Sequence, residues 1–470
     1  MSTFPPPSPP LWKPMLLGAC AGGLGWGIRG QYGHETGAML AGLLVSLVLT
    51  FLLAPHGPSS AVARAVAWGT IAMGFGGSMT YGQTVGLTQD ATLVGNHAAL
   101  AWGLLGLAIK GGLWIGFAGA FLGLGLGGNR YRPGELLTLM LGLLALSALG
   151  IWVLNEPYDP TRKILPWIYF SDDWRWEPGA DLKPRREVWG GFLFAWVGLV
   201  AYLHWVRRDA LAPRLAFWGL LGGAIGFPAG QCLQAFHAWN PGLFQSGFGA
   251  RLEPVINWWN FMETAFGALM GALLGLGLGL NRTRLRFDET PETPWPVPGE
   301  LALLAVHLGL LVTVEFLSVG WVDEVYDFGL CLGVLPVVGV AAGRWWPWLM
   351  LGPITLLPIA GKTLRNLAYE QATLPLPVGW ILYVIIPLTA TTWAAVWLAN
   401  RRASPARAGS WLGPVLLANT WLYFALNFAF FQFPWPWQTW TTRTPNALIY
   451  TACALALTAA VWRCRPRNLS

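Results

Sequence analysis

Residues 25–38, GWGIRGQYGHETGA, place Arg29, Gln31, His34, Glu35 and Thr36 within eight positions. Glycines 25, 27, 30, 33 and 37 punctuate the stretch. A helix so interrupted can unwind and turn its amide dipoles toward an ion or polar solute. The planar fork of Arg29 suits a carboxylate or phosphate. His34 beside Glu35 can carry a coupling proton, because an imidazole titrates near neutral pH. The competing reading is an internal Arg29–Glu35 ion pair that locks a tight turn.

A second polar group is NWWNFMET, 257–264. Asn257, Asn260 and Thr264 fall near one helix face, with Glu263 three residues beyond Asn260. Glu263-Thr264 echoes Glu35-Thr36, which points to a shared cavity. Lys110 interrupts an apolar run and is expected to pair with Glu35 or Glu263, or to meet an anionic ligand. Polar groups are costly in lipid, so such residues usually face a protein interior or a water-filled cavity. Further candidates are His307 with Glu315, an acidic turn of Asp323, Glu324 and Asp327, and Lys362, Arg365 and Asn366. The first pair reads mainly as a buried hydrogen bond and the turn as a solvated loop. The last three are expected to meet an acidic loop at 155–187. Trp258, Trp259, Trp174 and Trp176 could stack on a sugar or organic cation, although interfacial belts explain most of the 30 tryptophans.

The elements that must hold these residues follow from composition. Of 470 residues, 54% are hydrophobic and 11% charged, against roughly 25% charged in soluble domains. Mean hydropathy is +0.49. That excludes a disordered chain, a disulfide scaffold and a conventional soluble enzyme. The expected class is an all-α polytopic integral membrane helix bundle. Spanning helices need about 20 apolar residues. They are read near 15–31, 35–54, 65–86, 98–127, 134–154, 188–206, 214–235, 257–280, 299–319, 327–343, 346–361, 376–399, 411–431 and 446–463.

Fourteen spans put both termini on one side. Arg64, Arg130, Arg132, Arg207, Arg208, Arg214, Arg282, Arg284, Arg286, Arg344, Arg401, Arg402 and Arg407 collect in the loops of that side, with Lys13 and Arg463. By the positive-inside rule it is cytoplasmic, which explains the net charge of +7 without nucleic acid. The expected location is the cell (inner) membrane. No cleavable signal peptide is expected, because the first apolar run carries Arg29 and lacks a cleavage site. The chain divides into a Pro-rich cytoplasmic tail (1–14), a first transmembrane block (15–154), an extracytoplasmic cap (155–187), a second block with a basic loop (188–298), a C-terminal bundle (299–463) and a basic tail (464–470).

GGLGWGIRGQ (22–31), GFGGSMTYGQ (74–83) and GGAIGFPAGQ (222–231) each open on Gly and close on Gly-Gln, at Gln31, Gln83 and Gln231. GAFLGLGLGGNRYR (119–132) also resembles GALLGLGLGLNRTR (271–284) position by position. Three same-direction helical hairpins are expected, 15–54, 65–127 and 214–280.

Five scattered cysteines without a CxxC pair argue against a disulfide or zinc framework. GWGIRG spells a dinucleotide fingerprint but follows no strand. No cofactor, metal-binding, catalytic or nucleic-acid motif emerges. The leading expectation is a transporter of a small polar solute with membrane lipids around it; Arg29 and Lys110 suit an anionic solute, and His34, Glu35 and Glu263 suit proton coupling. Its expected site is Arg29, Gln31, His34, Glu35, Thr36, Gln83, Lys110, Gln231, Asn257, Asn260, Glu263 and Thr264. One alternative is a membrane-embedded transferase or hydrolase using Asp172 and Asp173 with His34 and Glu35 on a lipid or lipid-linked substrate. Another is a non-catalytic subunit of a membrane complex, and a homo-oligomer is also open.

Overall fold

The computed structural model describes residues 9–30, 32, 37–77, 79, 81–287, 295–313, 319–322, 331–400, 407–431 and 439–464. Among them there are helices and isolated bridges but no strand. In so apolar a chain a helix satisfies its backbone groups within one segment. The helices are α1 (Trp12–Arg29), α2 (Ala38–Leu53), α3 (Ser59–Gly76), α4 (Gly82–Gln89), α5 (His97–Leu126) and α6 (Pro133–Leu154). They continue with α7 (Trp189–Ala201), α8 (Ala212–Trp239), α9 (Gly247–Leu252), α10 (Trp258–Leu280), α11 (Val297–Val312) and α12 (Cys331–Ala342). The last are α13 (Trp346–Leu349), α14 (Pro353–Leu364), α15 (Leu376–Gly379), α16 (Ile386–Asn400), α17 (Gly409–Phe430) and α18 (Thr444–Cys464).

Among the described residues, seven helical runs are long and apolar enough to cross a membrane: α5, α6, Trp189–Val206, α10, Leu376–Asn400, α17 and α18.

The core is a closed ring. Helices α1, α2, α3, α5, α8 and α10 touch in that order, and α10 returns to α1. Glycine makes the closest crossings possible. A methyl group on Gly22 would strike the Gly267 carbonyl, and one on Gly271 would strike that of Gly18. Helices α5 and α8 meet in the same way, where a methyl on Gly111 would lie 2.7 Å from the Gly223 carbonyl oxygen. Small residues let backbones approach where surrounding lipid offers no hydrophobic drive for association. Outside the ring, α6 and α7 pair and α7 rests on α5, while α17 lies on α2 and α18 on α1.

Two expected spans are broken. The span read at 65–86 stops at Gly76 and resumes as the short α4. The Trp114 indole fills the space beside Gly76, where a side chain would otherwise sit. The span read at 346–361 divides into α13 and α14 around Gly352, whose φ and ψ are −156° and −92°. Buried carboxylates start other helices. Glu300 accepts from the backbone N–H groups of Arg344, Trp345 and Trp346 at 3.0, 2.7 and 2.8 Å. Asp209 accepts from Leu211 and Ala212, each at 2.8 Å, at the start of α8. Both arrangements answer amides that a helix start leaves open and that the dipole makes positive.

Among the described residues Cys20, Cys232, Cys453 and Cys464 are free, with Cys232 and Cys464 exposed.

Replacing Gly267 by Leu should prevent α1 and α10 from closing and yield aggregated protein by size-exclusion chromatography. Gly142→Ala, at a position open to at least 4 Å on α6, should stay monodisperse and within about 1 kcal/mol of the parent.

Candidate functional site

Arg29 ends α1 and is 1% exposed. Its guanidinium donates to Glu263 Oε1 at 2.9 Å and to the Tyr81 hydroxyl. Three rings surround it, with centroids 5.0 Å (Trp26), 5.6 Å (Tyr81) and 5.9 Å (Trp114) away. Their negative faces favour a cation in a dry setting. Phe266 and Trp114 both meet Trp26 edge-on, and Phe227 stacks on Phe266 at 4.7 Å. Helices α1, α5, α8 and α10, with Tyr81 just ahead of α4, therefore each supply a ring to one aromatic box.

Glu263 is 2% exposed. It also accepts from Trp259 Nε1 at 3.2 Å and from Asn260 Nδ2 at 3.4 Å. Asn260 uses all its capacity, donating to the Gly27 carbonyl at 2.6 Å and accepting from Asn446 and Tyr450, both at 2.7 Å. Thr264 donates to the Asn260 carbonyl at 2.8 Å. Glycine is needed at 27 and 30. A Cβ at Gly30 would occupy the Glu263 carboxylate position, and one at Gly27 would meet Tyr450 and Thr264. Arg443, at the start of α18, lies over the Phe431 ring at 4.3 Å, and its charge acts on Glu263.

A second buried pair lies beside this centre. Lys110 donates to Glu187 at 2.6 Å and to Thr84 at 2.7 Å. Glu187 also accepts from Ser171 Oγ at 2.8 Å and from the Phe170 amide at 3.0 Å. Of the two expected carboxylates Glu263 is described, and Lys110 pairs with Glu187 in its place. The cap turns inward and delivers Glu187, which no helical spacing relates to Lys110.

The other expected residues divide. Gln83 leaves the centre and docks the cap, donating to the Lys183 carbonyl and accepting from the Arg185 amide, both at 2.9 Å. Gln231 donates to Thr88 at 2.7 Å, tying α8 to α4. Asn257 caps α10 through the Asn260 amide at 2.8 Å. Gln31, His34, Glu35 and Thr36 lie outside the described residues, as do Glu315, Asp323, Glu324 and Asp327. His307 is buried and stacks on Trp346 at 5.7 Å.

Lys362 donates to the Tyr32 carbonyl at 2.9 Å, while Arg365 and Asn366 donate to Glu370, at 2.8 and 3.4 Å, and these bonds do not reach the cap. Trp176 packs against Leu87, Leu93 and Ala99, and Trp258 stacks on His237. Asp173 is gripped through both oxygens by Arg175, at 2.7–3.1 Å. Its neighbour Asp172 is driven by burial, and by Glu177, Asp90 and Asp173 around it, up to about 7.

The expected set omits Tyr81, Trp26, Trp114, Asn446, Tyr450, Arg443 and Glu187. Tyr81 had a signal, since it holds the place in 74–83 that Arg29 holds in 22–31. No family model matches the chain, and no curated protein matches it in sequence. Fold and site define a helical bundle whose apolar helices suit a membrane and whose centre is an ion pair in an aromatic box.

Lys110→Met should cost about 3–5 kcal/mol, because Glu187 is left buried without its cation. The double variant Lys110→Met with Glu187→Gln should regain a large part of that loss. Equilibrium unfolding in detergent micelles reads both.

Proposed function

We propose that the chain is a polytopic membrane transporter of a small polar solute, anionic at the group that meets Arg29 and coupled to a proton through Glu263. The observation that carries the reading is the buried Arg29–Glu263 pair, set where the six-helix ring brings its glycine-rich helices together. In this reading the chain crosses the membrane fourteen times, with α4 as a re-entrant piece and the cap outside. The arginine-rich loops and both termini then share the cytoplasmic side.

The ring is also read as three related hairpins. Arg29 and Tyr81 occupy the same place in their glycine segments and are bonded to each other. Trp114 and Phe266 occupy the same place ahead of GAFLGLGLGG and GALLGLGLGL, and both meet the Trp26 ring. These coincidences support the repeat, and glycines at the crossings suit elements that slide or unwind.

The coupling follows from charge balance. An anion that binds Arg29 must displace the Glu263 carboxylate. An unpaired carboxylate in this dry centre is costly, so Glu263 takes up a proton as it leaves. Anion and proton arrive together, and the net charge of the site is unchanged. Asn260 and Trp259 remain to hold the neutral carboxyl.

The enzymatic alternative is weaker. It needs Asp173 as a working carboxylate, and Arg175 already occupies both of its oxygens.

The test is a thermal-shift screen in nanodiscs, with small inorganic and organic anions set against lipid-linked carriers. A small anion should stabilise the protein, with affinity rising toward about tenfold per pH unit of acidification, the limit for one linked proton. Glu263→Gln should retain binding without that dependence, and Arg29→Gln should lose it. Stabilisation only by lipid-linked species would overturn the transport reading.

A further inference from the structure

Helix α6 packs on α7 outside the ring and keeps an open outer face, with Leu137, Leu141, Leu149 and Trp152 exposed. Between α6 and the run Trp189–Val206 lies a groove of about 560 Å³, within the roughly 300–1,000 Å³ of ligand clefts. Gly142, Leu143 and Leu146 of α6 and Gly198 of α7 line its apolar length. A Cβ on Gly142 would meet nothing within 4 Å, so the groove passes over this residue unobstructed. A Cβ on Gly198 would strike the Leu146 side chain, so glycine there sets the depth of the floor.

One end of the groove is polar and is lined by Glu135 and Tyr202. Tyr202 donates to the Glu135 carboxylate, and Arg207 pairs with the same carboxylate at 3.2 Å. Arg207 also lies over the Tyr131 ring at 4.8 Å and donates to the Arg130 carbonyl, which ties the two loops at this end together. Arg130, Arg132 and Arg208 are exposed beside it. Against these four arginines stand Glu135, already held, and Asp209, which is buried and accepts from Tyr131 and from the first amides of α8. This end is therefore positive. From Glu135 to Leu154 the helix rises about 29 Å, close to the roughly 30 Å of a bilayer's hydrocarbon core. Trp205 and Trp152 are exposed at opposite ends of the seam, as interfacial aromatic residues are.

We propose that the groove between α6 and α7 is a binding site for an anionic phospholipid. One acyl chain lies over Gly142 and Leu146, and the headgroup phosphate meets the arginines at the Glu135 end. The apolar length alone would accept any acyl chain; the charge at its end selects the headgroup. Arg207 and Tyr202 neutralise Glu135, so the carboxylate does not repel a phosphate, and the exposed guanidinium groups suit its oxygens. Basic pockets at the ends of membrane helices recognise anionic headgroups on this principle. A second copy of the chain fits less well. A two-fold axis along the membrane normal would bring its arginine-rich loops to the same end, where like charges repel. The site rests on the placement of the apolar helices in a membrane and is independent of the transport reading.

Two measurements on the unaltered full chain test it. In nanodiscs of phosphatidylcholine with a small share of phosphatidylglycerol carrying a diazirine in its acyl chain, photolysis should label residues 135–146 and 198–202. Native mass spectrometry should show one phosphatidylglycerol retained at least about fivefold more tightly than phosphatidylcholine, the gain that one arginine beside a charged lipid gives. Gly142→Leu, which fills the groove, should remove the label and the retained lipid while the protein stays monodisperse. Arg132→Gln combined with Arg208→Gln should abolish the preference for phosphatidylglycerol and leave labelling by a phosphatidylcholine probe in place.

Label confined to other helices, equal retention of the two lipids, or a label unchanged by Gly142→Leu would overturn the site. So would a dimer that Gly142→Leu dissociates with no lipid retained in the groove. The label and the lipid comparison need no variant, so a substitution that fails to fold does not decide the matter. If lipid is held here and no small anion stabilises the protein, the transport reading fails and the lipid site survives. If a small anion binds with proton linkage and the label lies elsewhere, the lipid site alone fails.

Discussion

A guanidinium buried to 1% exposure among apolar helices must be neutralised, and the arrangement around Arg29 follows from that need. Its carboxylate partner comes from α10, which is 234 residues away along the chain and adjacent in the ring. Glycines 27 and 30 leave the space through which Glu263, Thr264 and Tyr450 reach the α1 backbone. Aromatic rings close the remaining sides with faces that a cation prefers. The glycine contacts between α1 and α10 are the geometric condition for the ion pair, because a wider crossing would draw Glu263 out of reach.

The same rule governs the other buried charges. Lys110 meets Glu187, while Glu300 and Asp209 meet the open amides of helix starts. The cap is part of this accounting and not a cover laid over it. By delivering Glu187 it completes the Lys110 pair, and through Asp172 and Gln83 it is tied to the short helix that follows Tyr81. The cap is therefore joined by hydrogen bonds to the element beside the Arg29 centre.

Much of the helical organisation was legible in the residues. The runs near 98–127, 134–154 and 257–280 fall within two residues of α5, α6 and α10, because long unbroken apolar stretches leave little choice of boundary. The two broken spans were less visible. Glycines around 76–82 permit a break, but the Trp114 indole occupying that space depends on how α5 packs. For the site, Arg29, Asn260, Glu263 and Thr264 stood out as polar residues in apolar helices, and they do meet. Gln83 and Gln231 stood out as the Gly-Gln ends of the repeated segments but serve as ties to the cap and α4. Polarity within an apolar run marks a residue that needs a partner without naming the partner.

The sequence by itself determined the helical class, the glycine positions that let helices touch and the list of charges that had to be neutralised. These depend on local quantities: hydropathy, side-chain size and the cost of a charge in an apolar medium. Only the tertiary structure decided that Arg29 takes Glu263 and that Lys110 takes Glu187. The physical reason is range. A burial cost is a property of one residue and is legible one residue at a time. An ion pair depends on the distance between two side chains, and that distance is set by helix crossings that no single segment encodes.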